Sequence, residues 1–169
     1  MTYNLKINDK VIKLQIWDTC GQEIYRSLIA NFYRNSSLAV LMYAINDKGS
    51  FNHVESWLSE LKNNASSDIS IILVGNKADL EEDRQVMKDE GENYKKQNYL
   101  DLFMETSAKT GYNTRNVLIE AAKILYKRYE HEYKEHEYHS GYCTGCALWI
   151  QQRKKEEERK RERERKKCC

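Results

Sequence analysis

The sequence contains no proline and only seven glycines in 169 residues. It is therefore poor in the usual turn formers, and tight turns fall to residues such as Asn8-Asp9, which tolerate left-handed backbone. No stretch approaches 18 apolar residues, and no charged region followed by an apolar run opens the chain. A membrane-spanning helix and a secretory signal are both argued against. The five cysteines (20, 143, 146, 168 and 169) are too few and too unevenly placed for a disulfide framework. A reducing cytosol is the expected compartment. Strong net charge is missing as well. The total is +2, but residues 153–167 hold ten Lys/Arg and five Glu, which leaves about −3 for the remainder. A folded part of that charge is not expected to grip nucleic acid; the basic element is the C-terminal tail.

What is present supports one domain with a core, at 40% hydrophobic content, followed by a tail. Residues 3–8 and 11–17 alternate and read as a hairpin around Asn8-Asp9. Residues 24–34 read as a short helix with Ile24, Leu28 and Phe32 on one face. The continuous apolar run 38–44 predicts a strand covered on both faces, with Met42 in the core. Ser50 is placed to cap a helix carrying Phe51, Val54, Trp57, Leu58 and Leu61. A strand at 69–74, a polar helix at 84–97 and a strand at 101–105 follow. Asn113 is placed to cap a long helix that buries Val117, Ile124 and Tyr129. Strands alternating with helices predict a parallel α/β sheet. Beyond Tyr138 the pattern fails, and residues 151–167 are almost wholly charged. The expected organisation is a domain at 1–138 and a flexible charged tail at 139–169.

Three strands release polar residues at their C-terminal ends. Residues 13–17 run into Asp18-Thr19-Cys20-Gly21-Gln22, residues 71–74 into Gly75-Asn76-Lys77-Ala78-Asp79, and residues 101–105 into Thr106-Ser107-Ala108-Lys109. Such an arrangement suits a sheet that binds ligand along its carboxyl edge. In order and spacing, Asp-x-x-Gly-Gln, Asn-Lys-x-Asp and Ser-Ala-Lys resemble the motifs of the Ras-superfamily small GTPases. Trp17 before the aspartate and the Cys168-Cys169 end are similar to the Rab branch. Arg26-Ser27-Leu28-Ile29 and Tyr33-Arg34-Asn35-Ser36 look most like the Golgi-trafficking Rabs. The resemblance covers roughly residues 4–130.

This resemblance implies a Ras-like sheet, mostly parallel with one antiparallel edge hairpin, and a guanine nucleotide (GTP or GDP) with Mg²⁺ as ligands. Asp79 would accept guanine N1–H and the exocyclic amine, a pair that adenine lacks; an ionised carboxylate left without donors discriminates strongly. Asn76 and Lys77 would lie at the base, the Ala108 N–H would meet the guanine oxygen after Ser107, and Lys109 would pack on the other ring face. Asp18 would reach Mg²⁺ through water, Gly21 would touch the γ-phosphate, and Gln22 would orient the attacking water. Cys20 stands where the family usually has alanine. Trp17 and Tyr33 match an effector-binding surface, and Cys168 and Cys169 match the site of two prenyl groups, which with a basic run anchor a protein to membrane. The implied partners are effectors, exchange and GTPase-activating factors, and the prenylation and GDP-dissociation machinery. The implied location is the cytosolic face of endomembranes such as the Golgi, and the cytoplasm when extracted.

One departure qualifies the resemblance. No Gly-Lys pair occurs anywhere in the 169 residues, so Gly-x-x-x-x-Gly-Lys-Ser/Thr is absent. The strand and helix flanking that loop and the first switch are missing with it. The expectation is a truncated Rab. Losing about four charge-assisted hydrogen bonds at roughly 1.5–3 kcal/mol each would weaken binding by three or more orders of magnitude. These residues alone are expected to turn over GTP negligibly. A non-catalytic, membrane-anchored adaptor is the alternative reading.

Overall fold

Alternation along the first residues builds a hairpin. Strand β1 (Thr2–Ile7) pairs antiparallel with β2 (Lys10–Gln15), with Tyr3 opposite Leu14, Leu5 opposite Ile12 and Ile7 opposite Lys10. The pairing leaves two residues to connect the strands, as Asn8-Asp9 predicts. Tyr3, Leu5, Ile7, Ile12 and Leu14 share the less exposed face, whereas Thr2, Asn4, Lys6, Val11, Lys13 and Gln15 are exposed. Reciprocal bonds between Met1 and Ile16, both 2.8 Å, extend the ladder. This computed structural model describes residues 1–7, 10–19, 33 and 36–138. The expected helix at 24–34, apart from Tyr33, lies outside the described residues. The chain divides into a unit at Met1–Arg128 and a second at Tyr129–Cys169. Of the second, only the helical run to Tyr138 is described.

Strands β3 (Leu38–Ala44), β4 (Ser70–Asn76) and β5 (Leu102–Glu105) form a separate, wholly parallel sheet in the order β3-β4-β5. Helix α1 (Lys48–Asn64) connects β3 to β4, and α2 (Lys88–Gln97) connects β4 to β5 after a single 3-10 turn at Glu81–Asp83. Helix α3 (Thr114–Tyr138) follows β5. On one face Tyr43, Ile71, Leu73 and Phe103 pack with Val54, Leu58 and Leu61 of α1, and Tyr94 of α2 lies against them. On the other face Ile72 and Val74, flanked by Leu102 and Met104, meet Val117, Ala121 and Ile124 of α3. The central strand β4 is thus buried on both sides, which is why its sequence is an unbroken apolar run. The fold class read from the sequence is the one observed: a parallel α/β sheet with an antiparallel hairpin. Among the described residues no strand joins β2 to β3.

Several local expectations are corrected. Strand β3 is not covered on both faces: Val40 and Met42 are 40% and 56% exposed. Helix α3 packs against β4, β5 and, from β3, the half-buried Leu38. Met42 is therefore not a core residue, and Trp57 is only half-buried. Asp47, not Ser50, caps α1: its Oδ1 accepts the Ser50 N–H at 3.0 Å. The Ser50 hydroxyl donates to the Asp47 carbonyl at 2.7 Å, so it works from inside the first turn. The polar helix begins at Lys88 rather than 84, where Glu90 reaches back to the Met87 N–H at 2.9 Å. The Asn113 carbonyl does accept from Val117 N at 3.1 Å at the head of α3, but Tyr129 is 40% exposed.

Candidate functional site

The carboxyl ends of β4 and β5 finish side by side, with Gly75 opposite Glu105, so their loops start as neighbours. Backbone bonds continue the contact past the strands: Thr106 N donates to the Gly75 carbonyl at 2.8 Å, and Ala78 N to the Thr106 carbonyl at 2.9 Å. Asn76 closes the gap from its side chain. Its Oδ1 accepts from the Thr106 hydroxyl at 3.3 Å and from the Ala108 N–H at 3.1 Å. Between these loops the buried Ser107 hydroxyl donates to Asp79 Oδ1 and accepts from Thr110 N at 3.1 Å. Lys77 is held in left-handed backbone at φ 64°, a conformation that costs a non-glycine residue about 1–2 kcal/mol. That strained turn carries the chain from Asn76 to Asp79, and Leu80 N closes it on the Lys77 carbonyl at 2.9 Å.

The electrostatics favour a charged Asp79. The hydrogen bond from Ser107 is the largest influence holding its carboxyl below the usual value of 3.8, and Lys109 and Lys77 act in the same direction. Lys109 is exposed, with Nζ 3.8 Å from Asp79 Oδ2. The result is an ionised carboxylate at the sheet's carboxyl edge, beside a backbone N–H at Ala108 that already serves an acceptor. A ligand edge with two adjacent N–H donors and a neighbouring carbonyl fits these groups. Guanine presents that edge and adenine does not, so a guanine base fits the residues present. A bound guanine nucleotide would be held here by Asp79, Asn76, the Ala108 N–H and the stem of Lys109.

The structure brings together Asn76, Lys77, Asp79, Ser107, Ala108 and Lys109. Asp18 stands just beyond β2 and is exposed, and Trp17 beside it is 65% exposed. Tyr33 is half-buried and packs against the core cluster that contains Ile45 and Phe103. Gly21, Gln22, Cys20, Cys168 and Cys169 lie outside the described residues. Among the described residues no three metal-ligating side chains converge. Asp18 alone does not make a magnesium site; Mg²⁺ is held largely by waters and substrate phosphates.

Sequence reasoning passed over Thr106, whose hydroxyl helps hold Asn76, and the pair Arg84 and Glu105. Thr106 opens the Thr106-Ser107-Ala108-Lys109 stretch at the end of β5, and its hydroxyl was the available signal. Arg84 and Glu105 are 21 positions apart, and only the crossover through α2 makes them neighbours.

A parallel α/β sheet with Asn76, Asp79 and the Ala108 N–H gathered at its carboxyl edge has the layout of a nucleotide-binding domain. A family model, the Ras family, matches residues 1–127. The chain belongs to the Ras family. As such it carries a small-GTPase domain that takes guanine nucleotide, and its general partner classes are effectors, exchange factors and GTPase-activating proteins.

Proposed function

We propose that this chain acts as a Rab-type small GTPase in intracellular vesicle trafficking, most like those of the Golgi. In this reading Cys168 and Cys169 carry two geranylgeranyl groups, and prenylation and GDP-dissociation factors move the protein between the cytosol and an endomembrane. Two buried lipid chains, at about 0.8 kcal/mol per methylene, with the basic run at 153–167 meet the usual requirement for stable anchoring. Trp17 and Tyr33 belong to the effector surface; the high exposure of Trp17 supports a role outside the core. Gln22 orients the attacking water, since phosphoryl transfer depends on positioning more than on covalent chemistry.

The observation that carries the nucleotide part is the single cluster of Asn76, Asp79, Ser107 and Ala108 around an ionised carboxylate. These 169 residues hold the base half of a pocket and no Gly-Lys pair for the phosphates, so their affinity for GDP is expected to be about micromolar or weaker. Calorimetric titration with GDP and ADP tests it. Saturable GDP binding with at least about tenfold preference over ADP is expected; equal binding of the two, or none, rejects the reading. For the anchor, mass spectrometry of the chain isolated from cells should find two prenyl groups. Replacing Cys168 and Cys169 by Ser should then release it from membranes.

A further inference from the structure

The loop that carries Asp79 is fixed at both ends. Its near end is tied by Asn76 and Ala78 to Thr106 and Ala108. At its far end Arg84, with a side chain only 11% exposed, makes five hydrogen bonds. Nε and Nη2 donate to the two Glu81 oxygens at 2.8 and 2.6 Å. Nη1 and Nη2 donate to the two Glu105 oxygens at 2.7 and 3.1 Å, and Nη1 also reaches the Val86 carbonyl at 2.9 Å. Glu81 lies two residues after Asp79. Glu105 ends β5, two residues before Ser107, the hydroxyl that holds Asp79. One guanidinium therefore joins the exit of the first loop to the root of the second. The next residues are seated too, because Gln85 N and Val86 N both donate to the Ile45 carbonyl at 2.9 Å and Val86 is fully buried.

We propose that Arg84 is a positioning residue for base recognition: it locks the loop of Asp79 to the loop of Ser107-Ala108 so that both address the base as one rigid surface. Arg84 acts through Asp79 and touches no ligand itself. The physical need is geometric. A carboxylate accepting two adjacent N–H donors tolerates little displacement, and to the backbone bonds of Gln85 and Val86 Arg84 adds a direct tie from the far end of the Asp79 loop to the root of the Ser107 loop. The planar five-donor fork suits the task, since a lysine ammonium cannot bridge two carboxylates and a carbonyl in the same way. The inference rests on the guanine reading above, and its test separates the two.

The experiment titrates the 169-residue chain with GDP and with ADP, following backbone amide shifts by NMR. In Arg84→Met the ratio of GDP to ADP affinity is expected to fall about tenfold. ADP affinity should change little, and Arg84→Lys should fall between. A folded Arg84→Met chain that keeps the parent ratio overturns the proposal. Equal loss of both nucleotides overturns it as well, because that is what a purely structural ion pair gives. Removing Arg84 alone strands Glu105 at low exposure. Should that variant fail to fold, Arg84→Met/Glu105→Leu and Arg84→Lys are read in the same way. A parent chain without GDP preference overturns the guanine reading itself, an outcome distinct from failure of the positioning role.

Discussion

At the scale of single residues, Asp79 decides what the site can read. Ser107, Lys109 and Lys77 favour its charged form, so its folded pKa lies below the ordinary 3.8. The sign follows: a depressed carboxylate contributes above its unfolded pKa, and that contribution is lost as pH falls through the folded value. Discrimination of GDP from ADP should thus be unchanged between about pH 7 and 5 and decline only below the usual carboxylate range. Affinity ratios measured across that interval check it; a decline already at pH 5 would contradict the assignment. Gly91 is a second decisive position. A Cβ there would collide with the Phe103 ring and come within 2.9 Å of the Tyr43 hydroxyl. Gly91→Ala is expected to cost about 1–3 kcal/mol, read from urea unfolding, as overpacked cores do. Asp79, Asn76 and Ala108 were legible in the sequence because each lies in a short contiguous motif after an apolar run. Arg84 with Glu105 was not, since nothing local marks two residues that meet only after a helical crossover.

At the scale of elements, the helices differ in how they begin. The sequence placed the cap of α1 at Ser50 because the apolar spacing starts at Phe51. The helix starts three residues earlier, and Asp47 takes the Ser50 N–H. Both residues are good cap formers, and local propensity does not choose between them; the bond of Ala44 N to the Ser50 hydroxyl at 3.0 Å shows that the strand end does. Asp47→Ala is expected to lower stability by about 1 kcal/mol, measured as a shift in the urea midpoint at constant slope. At α2 the Glu90 carboxylate serves Met87 N and pairs with Lys48, linking the start of α2 to the start of α1. Strand types and order were readable from apolar runs and alternation. Strand ends moved by at most two residues, those of β3 not at all, and the start of α2 by four, because end positions are set by caps and neighbouring loops.

At the scale of the whole folded unit, the stabilising burial is concentrated on the three-stranded sheet. Ile72 and Leu73 point to opposite faces of β4 and neither is exposed. Leu73→Ala should cost about 2–5 kcal/mol, the range for a large-to-small change in a packed core. Met42→Lys, in an equally apolar-looking strand, should stay within about 0.5 kcal/mol because that side chain already faces solvent. Paired thermal and urea unfolding of the two variants tests the contrast; similar costs would place Met42 in the core after all. The apolar run 38–44 reads the same whether or not a helix covers its second face. Coverage is a property of what packs against a strand, not of the strand.

The amino-acid order by itself determined the strand and helix sequence, the parallel pairing that follows from alternating elements, and which polar residues sit at strand ends. Those features come from backbone sterics and side-chain periodicity, which act over a few residues. The tertiary structure alone decided that the hairpin stands as its own sheet, that Val40 and Met42 of β3 stay exposed, and that Arg84 clasps the two loops flanking Asp79. Each of these depends on contacts between residues far apart in the chain, where packing and the placement of crossovers set the outcome.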